Sequence, residues 1–267
     1  MANTLHSLPG NAANNKSDVL KGTPRDDVLH GSLGHTTFYG GLGNDIYYSK
    51  NAGDTIVEYA NEGNDTVYAD TTFTLPTHVE NLTLTGNGNT FGFGNNSNNI
   101  LIGNSGNNRL SGEEGNDFLY GMGGNDTLSG GNGNDHLNGG DGDDYLAGGL
   151  GSDTIITGAG RDTVAFTAAD IREGSIDRVV EFDPNTDKLD LSGMRSLLTG
   201  SNANLSWSKM FVDKDPEVIL QKTVLISSLI QSSRLLLIVQ QVQAVAPFLP
   251  NSILAGWKHP ISSAKDP

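Results

Sequence analysis

A nine-residue repeat is the feature that most constrains what this chain can fold into. Between residues 112 and 165 the sequence reads, in steps of nine, GEEGNDFLY, GMGGNDTLS, GGNGNDHLN, GGDGDDYLA, GGLGSDTII and TGAGRDTVA. A fixed period of this length is typical of repeat architectures, in which each unit packs only against its neighbours.

Weaker rows extend the same frame over much of the chain. Rows begin at 94 and 103, and a second group begins at 13, 22, 31, 40 and 49, followed after a two-residue slip by one at 60. Over the 14 rows, position 8 is apolar in all 14, position 4 is Gly in 10, and position 6 is Asp in 11, the exceptions being Thr36, Asn99 and Asn108. Three positions held in phase over this length predict one repeated structural unit.

The period itself predicts the shape of that unit. Positions 7 to 9 alternate as in a short strand, with position 8 pointing inward. The preceding glycine-rich positions turn the chain sharply, since glycine accepts the backbone conformations that tight turns require. Two rows then make one flattened coil, and coils stack at the strand spacing of about 4.8 Å. The inward side chains of the clearest stretch are expected to form an apolar ladder: Leu119, Leu128, Leu137, Leu146, Ile155 and Val164.

Stacked coils place the position-6 aspartates of rows n and n+2 about one strand spacing apart, where like charges repel. A hard divalent cation between the turns would remove that repulsion. Ca²⁺ accepts six to eight oxygen ligands in loose geometry, whereas Mg²⁺ demands a tighter octahedron and keeps its waters. Transition metals favour His or Cys, which are not periodic in these rows. The pattern therefore predicts several calcium ions.

The charge of the chain agrees with cation binding. Residues 1–200 carry 27 acidic and 10 basic residues, and the whole 267-residue chain has a formal net charge of -15. This excess disfavours nucleic acid and anionic membranes as partners. The chain contains no cysteine, so neither a disulfide nor a thiolate metal site is expected.

These rows resemble the RTX repeat, GGxGxDxUx. The resemblance implies an all-β fold, a parallel β-roll solenoid with a C-terminal β cap and a tail of uncertain structure. The predicted organisation is a flexible N-terminus over 1–12, a first repeat block over 13–68, spacer strands over 69–93, a second block over 94–165, a cap and secretion-region-like segment over 166–200, and an atypical tail over 201–267. The spacer contains the strand-like run VENLTL, residues 79–84.

The resemblance also implies the metal ligands, with each ion held between the turns of rows n and n+2. Four pairs keep Asp at both ends in the second block and one does so in the first. The expected carboxylate ligands are Asp117, Asp126, Asp135, Asp144, Asp153, Asp162, Asp27 and Asp45, and the expected carbonyl donors are Gly115, Gly124, Gly133 and Gly142.

Four departures from the pattern predict weaker or missing sites. Asn99 and Asn108 replace Asp opposite Asp117 and Asp126. Thr36 likewise offers no carboxylate to pair with Asp18 or Asp54. The slip at 58–59 leaves open whether Asp45 pairs with Asp65. In the cap, Asp177, Asp183, Asp187 and Asp190 are interpreted as solvated turn residues.

As to function, the resemblance favours a secreted, non-catalytic module that folds on binding extracellular calcium and leaves the cell through a type I secretion apparatus. No N-terminal signal peptide is visible. Two alternatives stay open: a C-terminal part or non-catalytic relative of an RTX enzyme such as an alginate epimerase, protease or lipase, and a calcium-dependent adhesin or surface component that contacts extracellular polysaccharide or a cell surface. The motifs of zinc proteases and of lipases, His-Glu-x-x-His and Gly-x-Ser-x-Gly, are absent.

The tail departs from the repeats in composition. Residues 201–267 carry 4 acidic and 6 basic residues and only 1 of the 35 glycines. Its apolar run LLLIVQQVQAVAPFL, 235–249, is broken by Pro247 and is too short to span a bilayer. It is interpreted either as an amphipathic helix or as an altered, frame-shifted end of the gene.

Overall fold

The structure is a computed structural model that describes residues 3–6, 17–167, 170, 176–193, 223–231 and 234–241. All regular secondary structure in these ranges is β. The strands are β1 Asn3–His6, β2 Asp18–Lys21, β3 Asp27–His30, β4 Thr36–Tyr39, β5 Ile46–Ser49, β6 Thr55–Val57, β7 Thr66–Ala69, β8 Phe73–Thr74, β9 Asn81–Leu84, β10 Phe91–Phe93, β11 Ile100–Ile102, β12 Arg109–Glu114, β13 Phe118–Tyr120, β14 Thr127–Asn132, β15 His136–Asp141, β16 Tyr145–Leu150, β17 Thr154–Ala159, β18 Thr163–Thr167, β19 Ile176–Val180, β20 Lys188–Gly193, β21 Thr223–Gln231 and β22 Arg234–Gln241.

The strands wind into a parallel solenoid with two faces. One face is a continuous sheet in the order β1-β3-β5-β7-β9-β11-β13-β15-β17-β19, to which β21 and β22 are added at the end. The other face is divided into a three-stranded sheet, β2-β4-β6, and a seven-stranded sheet, β20-β18-β16-β14-β12-β10-β8. The predicted parallel β-roll is confirmed. The odd-numbered strands join the two groups of repeats along one face, while the other face is interrupted between β6 and β8.

The core is the predicted ladder of position-8 side chains. Leu110, Leu128 and Leu146 are aligned across three neighbouring strands, and every ladder residue of the second block is 0% exposed. Neighbouring positions on each strand are more exposed, as the two-residue strand period requires. Such a core is one side chain thick on each face, so the turns at its edges must be stable in their own right.

The two-residue slip is absorbed within one turn. Strand β5 pairs with β7 in the register Ile46↔Thr66, a separation of 20 residues, whereas the neighbouring pair β4 and β6 keeps 18. The turn over 58–65 is therefore two residues longer than the turn over 40–45 on which it stacks. The longer turn restores the register, so Asp45 and Asp65 pair across the slip.

Both ends of the solenoid contain strands that the repeat pattern does not reveal. In the segment predicted to be flexible, Asn3–His6 forms β1 and pairs with β3. In the cap, β19 and β20 pair in parallel with β17 and β18 and extend both faces by one more strand.

The tail adds an antiparallel pair. Strand β21 runs antiparallel to β19, and β22 runs antiparallel to β21. The amphipathic-helix interpretation of 235–249 is therefore wrong over 235–241, and residues 242–249 lie outside the described part of the chain. Within that described part, the structure has no helix of the length and apolarity needed to cross a membrane.

Candidate metal centres

The position-6 aspartates of the second block form two ladders, one along each edge of the solenoid, because only every second row turns at the same edge. Asp117, Asp135 and Asp153 form one ladder, and Asp126, Asp144 and Asp162 form the other. In each case Oδ1 accepts a hydrogen bond from the backbone N–H of the position-6 residue one coil earlier. The four predicted pairs have N···Oδ1 distances of 2.8 Å for Asp117 to Asp135, 2.7 Å for Asp126 to Asp144, 2.8 Å for Asp135 to Asp153 and 2.9 Å for Asp144 to Asp162. All four pairs therefore lie in adjacent coils, as the 18-residue separation predicts.

The second carboxylate oxygen has a different environment. In all six aspartates of the two ladders Oδ2 is buried and has no hydrogen-bond partner; the residues are Asp117, Asp126, Asp135, Asp144, Asp153 and Asp162. Their side chains are between 1% and 3% exposed. A buried anionic oxygen without a partner is costly. Such an oxygen recurs in every coil along each edge, and carboxylate oxygens are ligands that fit a hard cation.

Where position 1 is glycine, Oδ2 faces that first residue of its own row; in the row of Asp162, position 1 is Thr157. A methyl group on Gly112 would overlap both Asp117 Oδ2 and the carbonyl oxygen of Gly130 in the next coil. Gly121 has the same relation to Asp126 Oδ2 and the next coil's carbonyl. The carboxylate oxygen and a backbone carbonyl of the adjacent coil thus converge on a space that only glycine leaves open.

The predicted carbonyl donors lie at a different point of the turn. A methyl group on Gly133 would overlap the carbonyl oxygen of Gly115, and one on Gly142 would overlap that of Gly124, so the position-4 glycines stack directly on one another. Their φ angles, between 102° and 137°, lie in the region that favours glycine. Prediction from the sequence named these glycines and did not name the position-1 glycines, whose carbonyls lie beside Oδ2 in the adjacent coil. The signal was present, because position 1 is Gly in 10 of the 14 rows.

Burial shifts the acidity of both ladders. Desolvation, followed by repulsion from the neighbouring Asp135 and Asp144 carboxylates respectively, raises the pKa of Asp117 and of Asp126 to about 7. Burial likewise raises the pKa of Asp153 to about 8, and repulsion from Asp177 adds to this effect. Without a cation, these groups resist ionisation near neutral pH, and a bound cation would favour their charged form.

The asparagines at position 6 make side-chain hydrogen bonds that the aspartates of the second block lack. Asn99 keeps the ladder bond, because its N–H donates to Asp117 Oδ1 at 2.6 Å. Its side-chain amide then donates to the carbonyl oxygens of Val79, at 3.3 Å, and Glu80, at 3.1 Å. Asn108 similarly donates to the carbonyl oxygen of Thr90 at 3.1 Å. The asparagine NH₂ group thus donates to backbone carbonyls, whereas an aspartate at the same position would place a carboxylate oxygen against them. These rows remain predicted to be the weaker sites.

Both ladders continue into the cap. Asp153 N–H donates to Asp177 Oδ1 at 2.9 Å, and Asp162 N–H donates to Asp187 Oδ1 at 3.1 Å. The side chains of Asp177 and Asp187 are 4% and 9% exposed. Their interpretation as solvated turn residues is wrong, whereas Asp183 is exposed. The separations of 24 and 25 residues hide this pairing from a nine-residue frame.

The first block carries the same backbone bonds, but Thr36 replaces one Asp, and Oδ2 accepts hydrogen bonds from Thr23 in Asp27 and from Ser49 in Asp54. Asp27 N–H donates to Asp45 Oδ1, and Thr36 N–H donates to Asp54 Oδ1, both at 2.7 Å. Thr36 therefore keeps the backbone bond but brings no carboxylate to the turn. Asp45 N–H donates to Asp65 Oδ1 at 2.7 Å, which places these two residues in adjacent coils.

Two acidic residues outside the repeat frame also lie beside the aspartates of the first block, and prediction from the sequence missed both. Asp65 N–H donates to Glu80 Oε2 at 2.9 Å, so a spacer glutamate stands where a ladder aspartate is expected. Glu58 lies beside Asp45 and Asp65. Burial, followed by repulsion from Asp65 and Asp45, raises the pKa of Glu58 to about 8. Burial is also the first cause that raises the pKa of Asp45 to about 7 and of Asp65 to about 6.

Comparison with known proteins agrees with this geometry. A model of the RTX calcium-binding nonapeptide repeat matches residues 13–56, 93–128 and 129–164. These segments contain the eight aspartates predicted as ligands. A search of curated proteins found no match.

Proposed function

We propose that this chain, which belongs to the RTX calcium-binding repeat proteins, is a secreted, non-catalytic module that folds when calcium enters its turns outside the cell. The observation that carries the proposal is the row of buried, unpartnered Oδ2 atoms along each of the two aspartate ladders. For Asp117, Asp126, Asp135 and Asp144, this oxygen and a carbonyl of the adjacent coil lie beside the same position-1 glycine. Carboxylates together with backbone carbonyls are the ligands that Ca²⁺ prefers.

The residues proposed to hold the ions are the ladder aspartates together with backbone carbonyls of the glycine-rich turns. Bound calcium would supply positive charge where the fold concentrates buried negative charge. The chain's own contribution is to hold each carboxylate in place through the N–H···Oδ1 bond. That bond leaves the other oxygen directed into the turn.

The proposed setting follows from calcium availability. Extracellular calcium modules bind at about 10⁻⁴–10⁻³ M, and calcium in the cytosol is far scarcer. In the absence of calcium, the net charge of -15 and the buried carboxylates would oppose folding. Outside the cell, the free energy of calcium binding would contribute to folding. This order of events would suit export of the unfolded chain by a type I apparatus.

The test is a far-UV circular dichroism titration of the full chain with Ca²⁺ and, separately, with Mg²⁺. We expect a cooperative rise of β signal with Ca²⁺ near the millimolar range and no comparable rise with Mg²⁺. Asp135→Asn should raise the calcium midpoint by about threefold to tenfold because the site loses a charged ligand. Asp141→Asn, which removes a charge from an exposed side chain of the next turn, is the matched control and should leave the midpoint nearly unchanged. Full β signal in excess chelator near neutral pH would contradict the proposal.

A further inference from the structure

A second kind of acidic site lies where the repeat frame slips. Glu58 directly follows β6, at the point where an uninterrupted row would begin with position 1, which is glycine in most rows. It opens the long turn over 58–65, which stacks on the turn over 40–45. Strand β6 is also the last strand of the three-stranded sheet, before that face of the solenoid is interrupted. The side chain therefore lies at the junction between the two parts of the fold.

Three carboxylates converge at this junction. One oxygen each from Asp45, Glu58 and Asp65 lies within 4.8 Å of the others. The three side chains are 1%, 6% and 0% exposed. Asp45 Oδ2, Glu58 Oε2 and Asp65 Oδ2 are all buried without a hydrogen-bond partner. The cluster thus contains three unsatisfied anionic oxygens rather than the one that each ladder aspartate contributes elsewhere.

The remaining oxygen of each carboxylate is held by the fold. Asp45 Oδ1 accepts from Asp27 N–H, and Asp65 Oδ1 accepts from Asp45 N–H, both at 2.7 Å. Glu58 Oε1 accepts from Gly40 N–H at 3.1 Å and from the hydroxyl of Tyr47. In neighbouring coils the position-1 N–H donates to a backbone carbonyl, as Gly22 does to Tyr39 at 2.7 Å. At Gly40 the glutamate replaces that carbonyl, so its carboxylate is positioned by the backbone.

Protein groups do not neutralise this cluster. Among the described residues, no lysine, arginine or histidine forms an ion pair with Asp45, Glu58 or Asp65. Three buried like charges within this distance repel strongly. A divalent cation would offset the repulsion and satisfy the three unpartnered oxygens together.

We propose that Asp45, Glu58 and Asp65 form a calcium site distinct from the repeat sites, which binds its ion more tightly and fixes the long turn at the junction. Affinity rises with the number of charged ligands and with the rigidity of the site, and this site has three carboxylates whose other oxygens are fixed by hydrogen bonds. The absence of nitrogen and sulfur ligands from the cluster favours Ca²⁺ over transition metals. The choice of ion rests on the proposed calcium-binding function, whereas the site itself does not belong to the nonapeptide pattern.

The test is calorimetric titration of the full chain with Ca²⁺, starting from chelated protein. We expect one binding event at a calcium concentration about tenfold or more below that of the others. In Glu58→Gln this event should disappear while the weaker events remain. Glu114→Gln, which removes the same charge from an exposed side chain in the second block, is the matched control and should keep it.

A second variant tests the same site in case Glu58→Gln does not fold. Asp65→Asn keeps an acceptor for Asp45 N–H and leaves Gly40 and Tyr47 untouched, yet removes one charge from the cluster. Loss of the tight event in this variant, with β structure retained in saturating calcium, supports the site. Terbium luminescence provides an independent signal, because excited Tyr47 lies close enough to transfer energy to a lanthanide bound at Glu58. Emission at the lowest terbium concentrations should fall in Asp65→Asn and persist in Glu114→Gln.

The outcomes separate this site from the wider proposal. If calcium folds the chain but Asp65→Asn retains the tight event, the cluster is a protonated structural element and the inference is overturned. If the wild-type chain binds no calcium at all, both the proposed function and this site fail.

Discussion

Replacing a ladder aspartate by asparagine should change stability in opposite directions with and without calcium. In Asp126→Asn the amide oxygen can still accept the N–H of Asn108, which now donates to Asp126 Oδ1 at 2.7 Å. The amide NH₂ replaces the unpartnered Oδ2 and can donate to a carbonyl of the adjacent turn, as Asn99 does. The variant therefore removes a buried charge while keeping the ladder bond.

The magnitude follows from the acidity of this carboxyl group. Burial raises the pKa of Asp126 from 3.8 to about 7. At about 1.4 kcal/mol per pH unit, ionising it in the calcium-free fold costs at most about 4 kcal/mol. Because the turn lies at the edge of the solenoid, screening by solvent reduces this to about 2 kcal/mol. At about pH 8 in chelator, Asp126→Asn should raise the free energy of unfolding by about 2 kcal/mol, and in saturating calcium it should lower it.

The assay is urea denaturation of wild type and variant, followed by circular dichroism, in chelator and in saturating calcium. If the chelated wild type is unfolded at about pH 8, the pH at which each protein loses its β signal on titration from acid gives the same comparison, and the variant should lose it at higher pH. Asp70→Asn, at an exposed position, is the control. A calcium-free variant that is less stable than wild type would refute the reasoning about Oδ2, and unchanged stability in calcium would remove Asp126 from the ligands.

Three further predictions test the packing and electrostatics of the fold. Burial raises the pKa values of the ladder carboxyl groups, so their contribution to stability is fully present below about pH 3.8 and is lost as pH rises through about 6 to 8. Chelated protein should therefore lose β signal over that pH range, and a chelated protein that is most stable above about pH 8 would contradict the assignment. Leu128→Ala should lower the free energy of unfolding in saturating calcium by about 3 kcal/mol, because Leu128 is 0% exposed. The control Leu42→Ala, at a residue that is 52% exposed, should change it by less than about 0.5 kcal/mol, and equal effects would show that the apolar ladder is not the core. Met122→Gly should raise the thermal midpoint and the free energy of unfolding by about 1 kcal/mol, because Met122 has a positive φ of 77° at a position where the equivalent residues, Gly131 and Gly140, have φ angles of 116° and 99°. A lower midpoint would mean that the Met122 side chain contributes more to stability than its backbone strain costs.

The sequence by itself determined the repeating unit. An apolar residue at every position 8 and an aspartate at most positions 6 require a coil of 18 residues with an apolar interior and a carboxylate edge. The constant period then placed Asp117 next to Asp135 and Leu128 next to Leu146 without any knowledge of coordinates. This works because each coil contacts only its immediate neighbours, so that local spacing decides the contacts.

Only the tertiary structure decided what happens where the spacing changes. The pairing of Asp45 with Asp65 at 20 residues, and of Asp153 with Asp177 at 24, follows from strand register, which turns of different lengths can preserve. The position of Glu58 likewise depends on how the long turn folds over Gly40. The physical reason is that backbone hydrogen bonds fix which strands are neighbours, while an insertion in a turn changes the count of residues between them without changing that pairing.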